Sequence, residues 1–107
     1  MIRAEFFRSA SDKLCGFRVT GHAGYAEYGQ DIACASVSSA VMLTANTLTE
    51  AFRIGADVRV EENEISLTLN DPGDEDGDRL LQGLLIHLNF LSDDEFKGRI
   101  RITFTEV

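Results

Sequence analysis

Apolar and polar residues alternate along the first twenty positions, which is the period of β-strands. The alternating apolar residues are Ile2, Ala4 and Phe6, followed by Cys15, Phe17 and Val19. Turn-forming residues at 9–13 separate the two sets, so the pattern predicts a β-hairpin. A glycine-containing loop is predicted over 21–31.

A helical period replaces the alternation from about Cys34 onward. Apolar residues now recur at spacings of three and four, at Cys34, Val37, Val41, Ala45, Leu48 and Phe52. Gly55 follows this run and suits a helix C-terminus. The pattern therefore predicts a first helix that begins near Cys34.

The second half of the chain repeats the order of two strands and a helix, and then adds a strand. Strands are predicted at 58–60 and 65–69, a helix with a leucine face at 80–91, and a last strand at 99–104. The complete order is β-β-α-β-β-α-β. We therefore predict an α+β fold over residues 1–107, a single domain in which two helices pack on a mixed or antiparallel sheet.

Composition and charge narrow the class of protein. The chain has 107 residues, of which 44% are apolar and 26% charged, which suits one soluble domain with its own core. Ten basic and eighteen acidic residues give a net charge of −8, so we predict no direct nucleic-acid partner. The surplus of acid lies in the second half, where the segments 61–64 and 71–78 could attract a basic substrate.

The longest stretch without a charge covers 32–49 and approaches the length of a membrane-spanning helix. Its Ser, Thr and Asn residues make it too polar for lipid, so we predict a helix largely covered by the rest of the domain, and no membrane partner. Arg3, Glu5 and Arg8 interrupt any apolar segment of a secretory signal. We therefore expect a cytoplasmic protein with reduced thiols.

Cys34 lies at the predicted start of the first helix, where the helix dipole and unpaired N–H groups favour a thiolate. A buried core cysteine is the alternative, because free cysteines are among the most buried residues. His22 follows the second predicted strand, and the loop between them is long enough to bring it back to Cys34. A Cys and a His within hydrogen-bonding reach form a nucleophile and its general base, whereas a lone His is commonly a surface or packing residue.

Two further polar residues flank Cys34. Asp31 could orient His22 as the third member of a triad, or it could cap the helix by accepting from the Cys34 N–H. Ser38 lies one turn after Cys34 and could hydrogen-bond near the thiol, or it could bond back to a helix carbonyl.

The residues around this pair resemble the ribosomal-processing cysteine protease family, known as Prp. The family pattern is G-H-A followed by G-x-D-I-x-C-A-x-x-S. The chain has G-H-A at 21–23 and G-Q-D-I-A-C-A-S-V-S at 29–38, so it matches every fixed position.

The resemblance implies a small cytosolic cysteine endopeptidase that forms homodimers, with His22 and Cys34 as the catalytic pair. It implies, as substrate, the N-terminal extension of a large-subunit ribosomal protein. It also implies that the loop between the pair covers the active site and moves. The expected hinges are Gly21, Gly24 and Gly29, and the expected substrate contacts are Ser38, Tyr25 and Tyr28.

Metal sites are not indicated. The two Cys and two His stand at positions 15, 22, 34 and 87, without the close pairs of a zinc site. An EF-hand alignment of the acidic loop puts Pro72 and Gly83 at ligand positions, which excludes that motif. We therefore predict no metal and no cofactor.

Ile86 and Phe90 lie opposite the leucine face of the second predicted helix. They are either scattered exposed apolar residues or contacts of a dimer. A non-catalytic ribosome-associated binding module and a thiol redox protein are the alternatives to a protease.

Overall fold

A computed structural model of the chain describes the backbone of residues 1–21 and 28–107, and the side chains of 1–21 and 32–107. The strands are β1 (Ile2–Arg8), β2 (Leu14–Thr20), β3 (Ala56–Glu61), β4 (Glu64–Leu69) and β5 (Ile100–Glu106). The helices are α1 (Tyr28–Asn46), which continues into a π-helical turn at Thr47–Ala51, and α2 (Glu75–Asp93). The predicted order of elements is confirmed.

The five strands form one mixed sheet in the order β3-β4-β2-β1-β5. β1 pairs antiparallel with β2, β2 with β4, and β3 with β4, whereas β5 lies parallel to β1. One face of the sheet and the two helices share a single core. Its largest fully buried side chains are Phe6, Phe17, Ile2, Leu48, Leu67, Leu81, Leu88, Val19, Val37 and Val41. The α+β class predicted from the sequence is therefore confirmed.

α1 begins at Tyr28, six residues earlier than the apolar period indicated. The N–H groups in the first turn of any helix have no acceptor within the helix. Gly29 in this turn therefore destabilises the helix less than a glycine in the helix interior would. Gly29 therefore lies in a helix and not in the predicted loop, and its role as a hinge stays a prediction. Asp31 is the fourth residue of α1 and so lies past the cap position, which disfavours the capping alternative for this residue.

The end of this helical segment also differs from the prediction. The π-helical turn ends at Ala51, and Arg53 takes the left-handed conformation with φ 55°. Gly55 has another role, since a Cβ there would lie 2.7 Å from the Asn70 side-chain nitrogen. Gly55 thus lets the chain pass close to Asn70, whose N–H donates to the Gly55 carbonyl at 3.0 Å.

Only one side of α1 is covered, contrary to the prediction that the helix is largely buried. Val37 and Val41 are fully buried, whereas Leu43 on the outer side is 68% exposed. The segment Ile32–Ala51 is long and apolar enough to cross a membrane, but core helices of soluble proteins pass the same test of length and composition. In this fold its inner side packs into the core.

The first turn of α2 is attached to β2. The Asp74 side chain caps the helix by accepting from the Gly77 N–H at 2.8 Å. One turn on, the buried Asp78 accepts from the Leu14 N–H at 2.8 Å and from the Gln82 side-chain amide at 2.9 Å. These bonds fix the start of α2 against the start of β2.

Candidate active site

Cys34 projects from the covered side of α1 and is 3% exposed. Its Sγ donates to the carbonyl oxygen of Gly21 at 3.5 Å. Gly21 directly follows the end of β2 and directly precedes His22 in the sequence. The fold therefore brings the thiol to the backbone position from which the segment containing His22 begins.

Gly21 is required where it stands. Its φ is 79°, a conformation that side chains rarely adopt, and an added Cβ would lie 2.4 Å from the carbonyl oxygen of Met1. The first residue of the chain and the end of β2 thus pack directly against each other. This packing helps to set the direction of the Gly21 carbonyl that meets the thiol.

The position of Cys34 within α1 removes one part of the sequence argument. Six residues separate Cys34 from Tyr28, which is about 9 Å along a helix axis. The effect of a helix dipole on a charge falls off within the first turn. The unpaired N–H groups at the start of α1 are therefore too distant to act on the Cys34 thiol or on an oxyanion formed there.

The remaining predicted site residues fall into two groups. Ser38 is half-buried on α1, one turn after Cys34. Tyr28, Gly29 and Asp31 belong to the first turn of α1. The predicted base His22, the hinge Gly24 and the substrate contact Tyr25 lie outside the described residues.

Cys15 behaves as the core residue that its strand position predicted. It is 2% exposed, and its Sγ donates to the Phe7 carbonyl oxygen at 3.5 Å within the sheet. Burial raises the pKa of the Cys15 thiol, which keeps it protonated and unreactive.

One of the two acidic segments lies at the end of the sheet where the Cys34 thiol meets Gly21. Glu64 pairs with Thr20, the last residue of β2, so the turn between β3 and β4 reaches the same edge as Gly21. Arg18 and Glu64 form an ion pair of 2.9 Å on the exposed face, and the hydrogen bond and charge of Glu64 raise the pKa of Arg18. The 71–78 segment lies at the opposite end of β2, where the Asp78 carboxylate accepts from the Leu14 N–H. Leu14 is about 20 Å from Thr20 along β2.

A groove of about 820 Å³ runs between α1 and α2 on the side of α1 away from Cys34. Its walls are apolar or small, and His87 is exposed on one of them. No group of three or more His, Cys, Asp or Glu side chains within the described ranges is arranged to hold a metal ion.

The sequence model of the family described as cysteine protease Prp matches residues 1–100. The chain belongs to this family. It is 29% identical to the ribosomal processing cysteine protease Prp of Bacillus subtilis, with 96% of each chain covered. It is 24% identical to the corresponding Staphylococcus aureus protein, over 97% of this chain and 99% of that one.

Solved structures share the fold of this Prp family member. The SMU.848 protein of Streptococcus mutans superposes with a TM-score of 0.87 at 26% identity, covering 100% of this chain and 96% of that one. The Staphylococcus aureus Prp in complex with a substrate peptide superposes with a TM-score of 0.89 at 20% identity, covering 98% of this chain and all of that one. The family assignment and the fold therefore agree over nearly the whole chain.

Sequence reasoning located Cys34 but missed the group that its thiol meets. The Gly21 carbonyl is a backbone group, so no residue type in the sequence indicates that it contacts the thiol. The one available signal was the G-H-A motif itself, in which the glycine precedes the predicted base.

Proposed function

We propose that this chain is a cysteine endopeptidase that removes the N-terminal extension of a large-subunit ribosomal protein in the cytoplasm. Cys34 is the nucleophile and His22 the general base. The observation that carries the proposal is the 3.5 Å contact between Cys34 Sγ and the carbonyl of Gly21, the residue before His22. Membership of a cysteine protease family supports the same assignment.

The chemistry follows from these roles. His22 takes the thiol proton, and the thiolate of Cys34 attacks the scissile carbonyl carbon to form a C–S bond. The tetrahedral adduct collapses, the C–N bond breaks, and His22 donates its proton to the leaving amine. Water, deprotonated by His22, then attacks the thioester and releases the new C-terminus together with the Cys34 thiol.

The remaining site residues take the roles expected of them from the sequence. Asp31 orients His22, and its position past the start of α1 supports this role over capping. Ser38, Tyr25 and Tyr28 contact the substrate, and the covering segment turns about Gly21 and Gly24.

We also infer a homodimer in which exposed apolar residues of α2 meet a partner subunit. Ile86 is 54% exposed and Phe90 is 68% exposed, which is costly for apolar side chains of this size in water. No cofactor is required for the proposed reaction, because the thiol and the imidazole supply the nucleophile and the base.

The test is cleavage of the purified ribosomal-protein precursor, followed by mass spectrometry. Cys34→Ala removes the nucleophile, so we expect a loss of at least about 1000-fold in the rate. Cys15→Ala is the matched control, because it removes the other buried thiol and should leave cleavage close to that of the wild type. His22→Ala should behave like Cys34→Ala.

Full activity of Cys34→Ala would refute the assignment. Binding of the precursor without cleavage by the wild type would support the non-catalytic module instead. Reversible oxidation of Cys34 without cleavage would support the thiol redox alternative.

A further inference from the structure

β5 is an outer strand of the sheet, and among the described residues only β1 pairs with it. The Ile2 N–H donates to the Arg99 carbonyl, and the Val107 N–H donates to the Arg8 carbonyl. These two bonds give the phase of the parallel ladder. The backbone groups of the odd-numbered residues of β5 point to β1, so those of the even-numbered residues point to the open edge.

Only the beginning of this open edge is covered. The Ser92 hydroxyl, near the end of α2, donates to the Ile100 carbonyl at 3.2 Å, which agrees with the outward direction of that carbonyl. Within the described part of the chain, no other partner meets the outward backbone groups of Ile102 and Phe104. An unpaired strand edge of this kind is a template for pairing with another strand.

Three arginines lie together on the outer face of the sheet at this edge. Arg3 and Arg101 are direct neighbours in the ladder, and Arg99 stands two residues before Arg101 on the same face. None of the three forms an ion pair with a described side chain, whereas Arg8, Lys13, Arg18 and Arg59 all do. Like charges at directly opposite positions destabilise a sheet, so this arginine cluster has a cost in the isolated chain.

The cost is unexpected in a chain that has eighteen acidic and ten basic residues. The acidic residues at 93–95 are close in sequence, but they lie at the end of α2, and the helices pack on the other face of the sheet. The fold therefore leaves a local positive surface, the arginine cluster, on a molecule with a net charge of −8.

The opposite edge of the sheet shows the contrast. Charged residues on an edge strand can serve only to keep other strands away. β3, the other edge strand, carries Asp57, Arg59 and Glu61, which alternate in sign, and Arg59 pairs with Asp57 at 3.5 Å. β5 instead presents one sign of charge, which repels basic strands and attracts acidic ones.

The helix-side face of the open edge is apolar. Ile102 is half-buried, and Phe104 is 45% exposed although its ring packs near that of Phe6. Successive side chains of a strand point to opposite faces. A strand added to β5 would therefore meet arginines with one set of alternate side chains and apolar residues with the other set.

An acidic peptide fits this edge better than a nucleic acid does. A nucleic acid carries negative charge along its whole length, and beyond the arginine cluster the same face of the sheet presents Glu61 and Glu64. A peptide with a few carboxylates needs only the cluster. Its backbone also supplies both the N–H donors and the C=O acceptors that an unpaired strand edge requires.

We propose that β5 binds an extended acidic segment of another protein as a sixth strand. The backbone of the segment pairs with Ile102 and Phe104. Its carboxylates meet the arginine cluster, and its alternate apolar side chains cover the Phe104 ring. The arginine cluster lies on the face of the sheet opposite the helices, so this binding is separate from the chemistry proposed for Cys34.

The test is fluorescence anisotropy of the full chain with a labelled octapeptide of alternating Glu and Val. The control peptide alternates Lys and Val, and it should not bind. Arg101→Glu should weaken binding of the acidic peptide at least about 10-fold, because it replaces a charge-assisted hydrogen bond with repulsion. The fold should tolerate this change, since it places a carboxylate beside Arg3. Arg79→Glu is the matched control variant, because Arg79 is also exposed and without an ion pair to a described residue but lies on α2. It should leave binding close to that of the wild type.

A second pair of variants tests the backbone ladder. Phe104→Ala and Phe104→Pro both remove the ring, but only the proline also removes the outward N–H. Proline is tolerated on an edge strand where its nitrogen faces solvent. We expect Phe104→Pro to bind the acidic peptide about 5-fold more weakly than Phe104→Ala. Circular dichroism confirms that each variant is folded.

Absence of binding by the wild type, or equal binding of the two peptides, would overturn the proposal. Equal losses in Arg101→Glu and Arg79→Glu would assign the effect to net charge and would also overturn it. Binding of single-stranded RNA that is lost in Arg101→Glu, without binding of the acidic peptide, would assign the arginine cluster to a phosphate backbone instead. Because binding is measured without cleavage, the result is independent of whether the chain proves to be a protease.

Discussion

The two cysteines show that burial alone does not distinguish the proposed nucleophile, Cys34, from the core residue Cys15. Cys15 and Cys34 are 2% and 3% exposed, and each thiol donates to a backbone carbonyl at 3.5 Å. Their positions in the chain differ. Cys15 contacts the carbonyl of Phe7 inside the sheet, whereas Cys34 contacts the carbonyl that precedes His22.

The raised pKa of Cys15 predicts a loss of stability at alkaline pH. A cysteine thiol in an unfolded chain has a pKa of about 8.5. Burial raises the pKa of the Cys15 thiol in the folded protein. The stabilisation is therefore complete below the unfolded pKa and is lost as the pH rises through the folded pKa. We expect the free energy of unfolding in urea to fall more steeply with rising alkaline pH in the wild type than in Cys15→Ala. Equal slopes would contradict the prediction.

Gly21→Ala should damage both stability and activity. The left-handed φ costs about 1 to 2 kcal/mol with any other side chain, and the contact with Met1 adds to this. Gly98→Ala is the matched control, because Gly98 has φ 81° but nothing within 4 Å of an added Cβ. Urea unfolding should show the larger loss for Gly21→Ala, and cleavage assays should show a loss for that variant alone. Equal losses would mean that the Met1 contact has no role.

At the scale of elements, α1 and α2 are held in different ways. α2 has a side-chain cap, an amphipathic pattern and a buried carboxylate that joins it to β2. α1 carries Cys34, the proposed nucleophile, and its outer side has no cover within the described chain other than the wall of α2.

Asp78→Ala should loosen the attachment of α2 to β2. It leaves the Leu14 N–H without its acceptor in a buried place, which costs about 1 to 3 kcal/mol. Asp78→Asn keeps an oxygen that can accept from Leu14 and should cost about 1 kcal/mol or less. Urea unfolding of the two variants measures the difference. A similar loss in both would show that the charge, and not the hydrogen bond to Leu14, matters.

At the scale of the whole molecule, the fold places the two acidic segments, 61–64 and 71–78, at opposite ends of β2. The 61–64 turn reaches the edge of the proposed active site beside Thr20, whereas the 71–78 segment lies beyond the far end of β2. Interactions between exposed charges are screened beyond about 8 Å at physiological salt. Only the nearer segment can therefore act on a substrate at Cys34 under those conditions.

Glu61→Gln with Glu62→Gln should lower kcat/KM for a basic substrate a few-fold at low salt, with kcat nearly unchanged. The reason is a smaller electrostatic attraction during encounter. Glu75→Gln with Asp76→Asn removes the same charge from the far end and should have the smaller effect. Rates measured over a range of salt concentrations should converge as salt rises. An effect of equal size from both pairs would assign it to net charge alone.

The sequence by itself determined the number and order of the elements and the family. Alternating and helical periods are local properties, so Ile2 to Phe6 and the leucines of α2 indicate their structures without tertiary contacts. The G-H-A and D-I-A-C-A segments determined the family in the same way, because residue identities carry the resemblance. The start of α1 was predicted six residues too late, since the polar first turn of a helix carries no apolar period.

Tertiary structure alone decided how these parts meet. Strand order depends on long-range pairing, so nothing in the sequence placed β5 parallel to β1. The contact of Cys34 with Gly21 involves a backbone carbonyl, which has no side-chain signature. Burial of one side of α1 and exposure of the other depend on how the two helices and the sheet pack, whereas the uncharged sequence of α1 predicted a helix that is largely covered. Packing within the described chain supplies cover on one side.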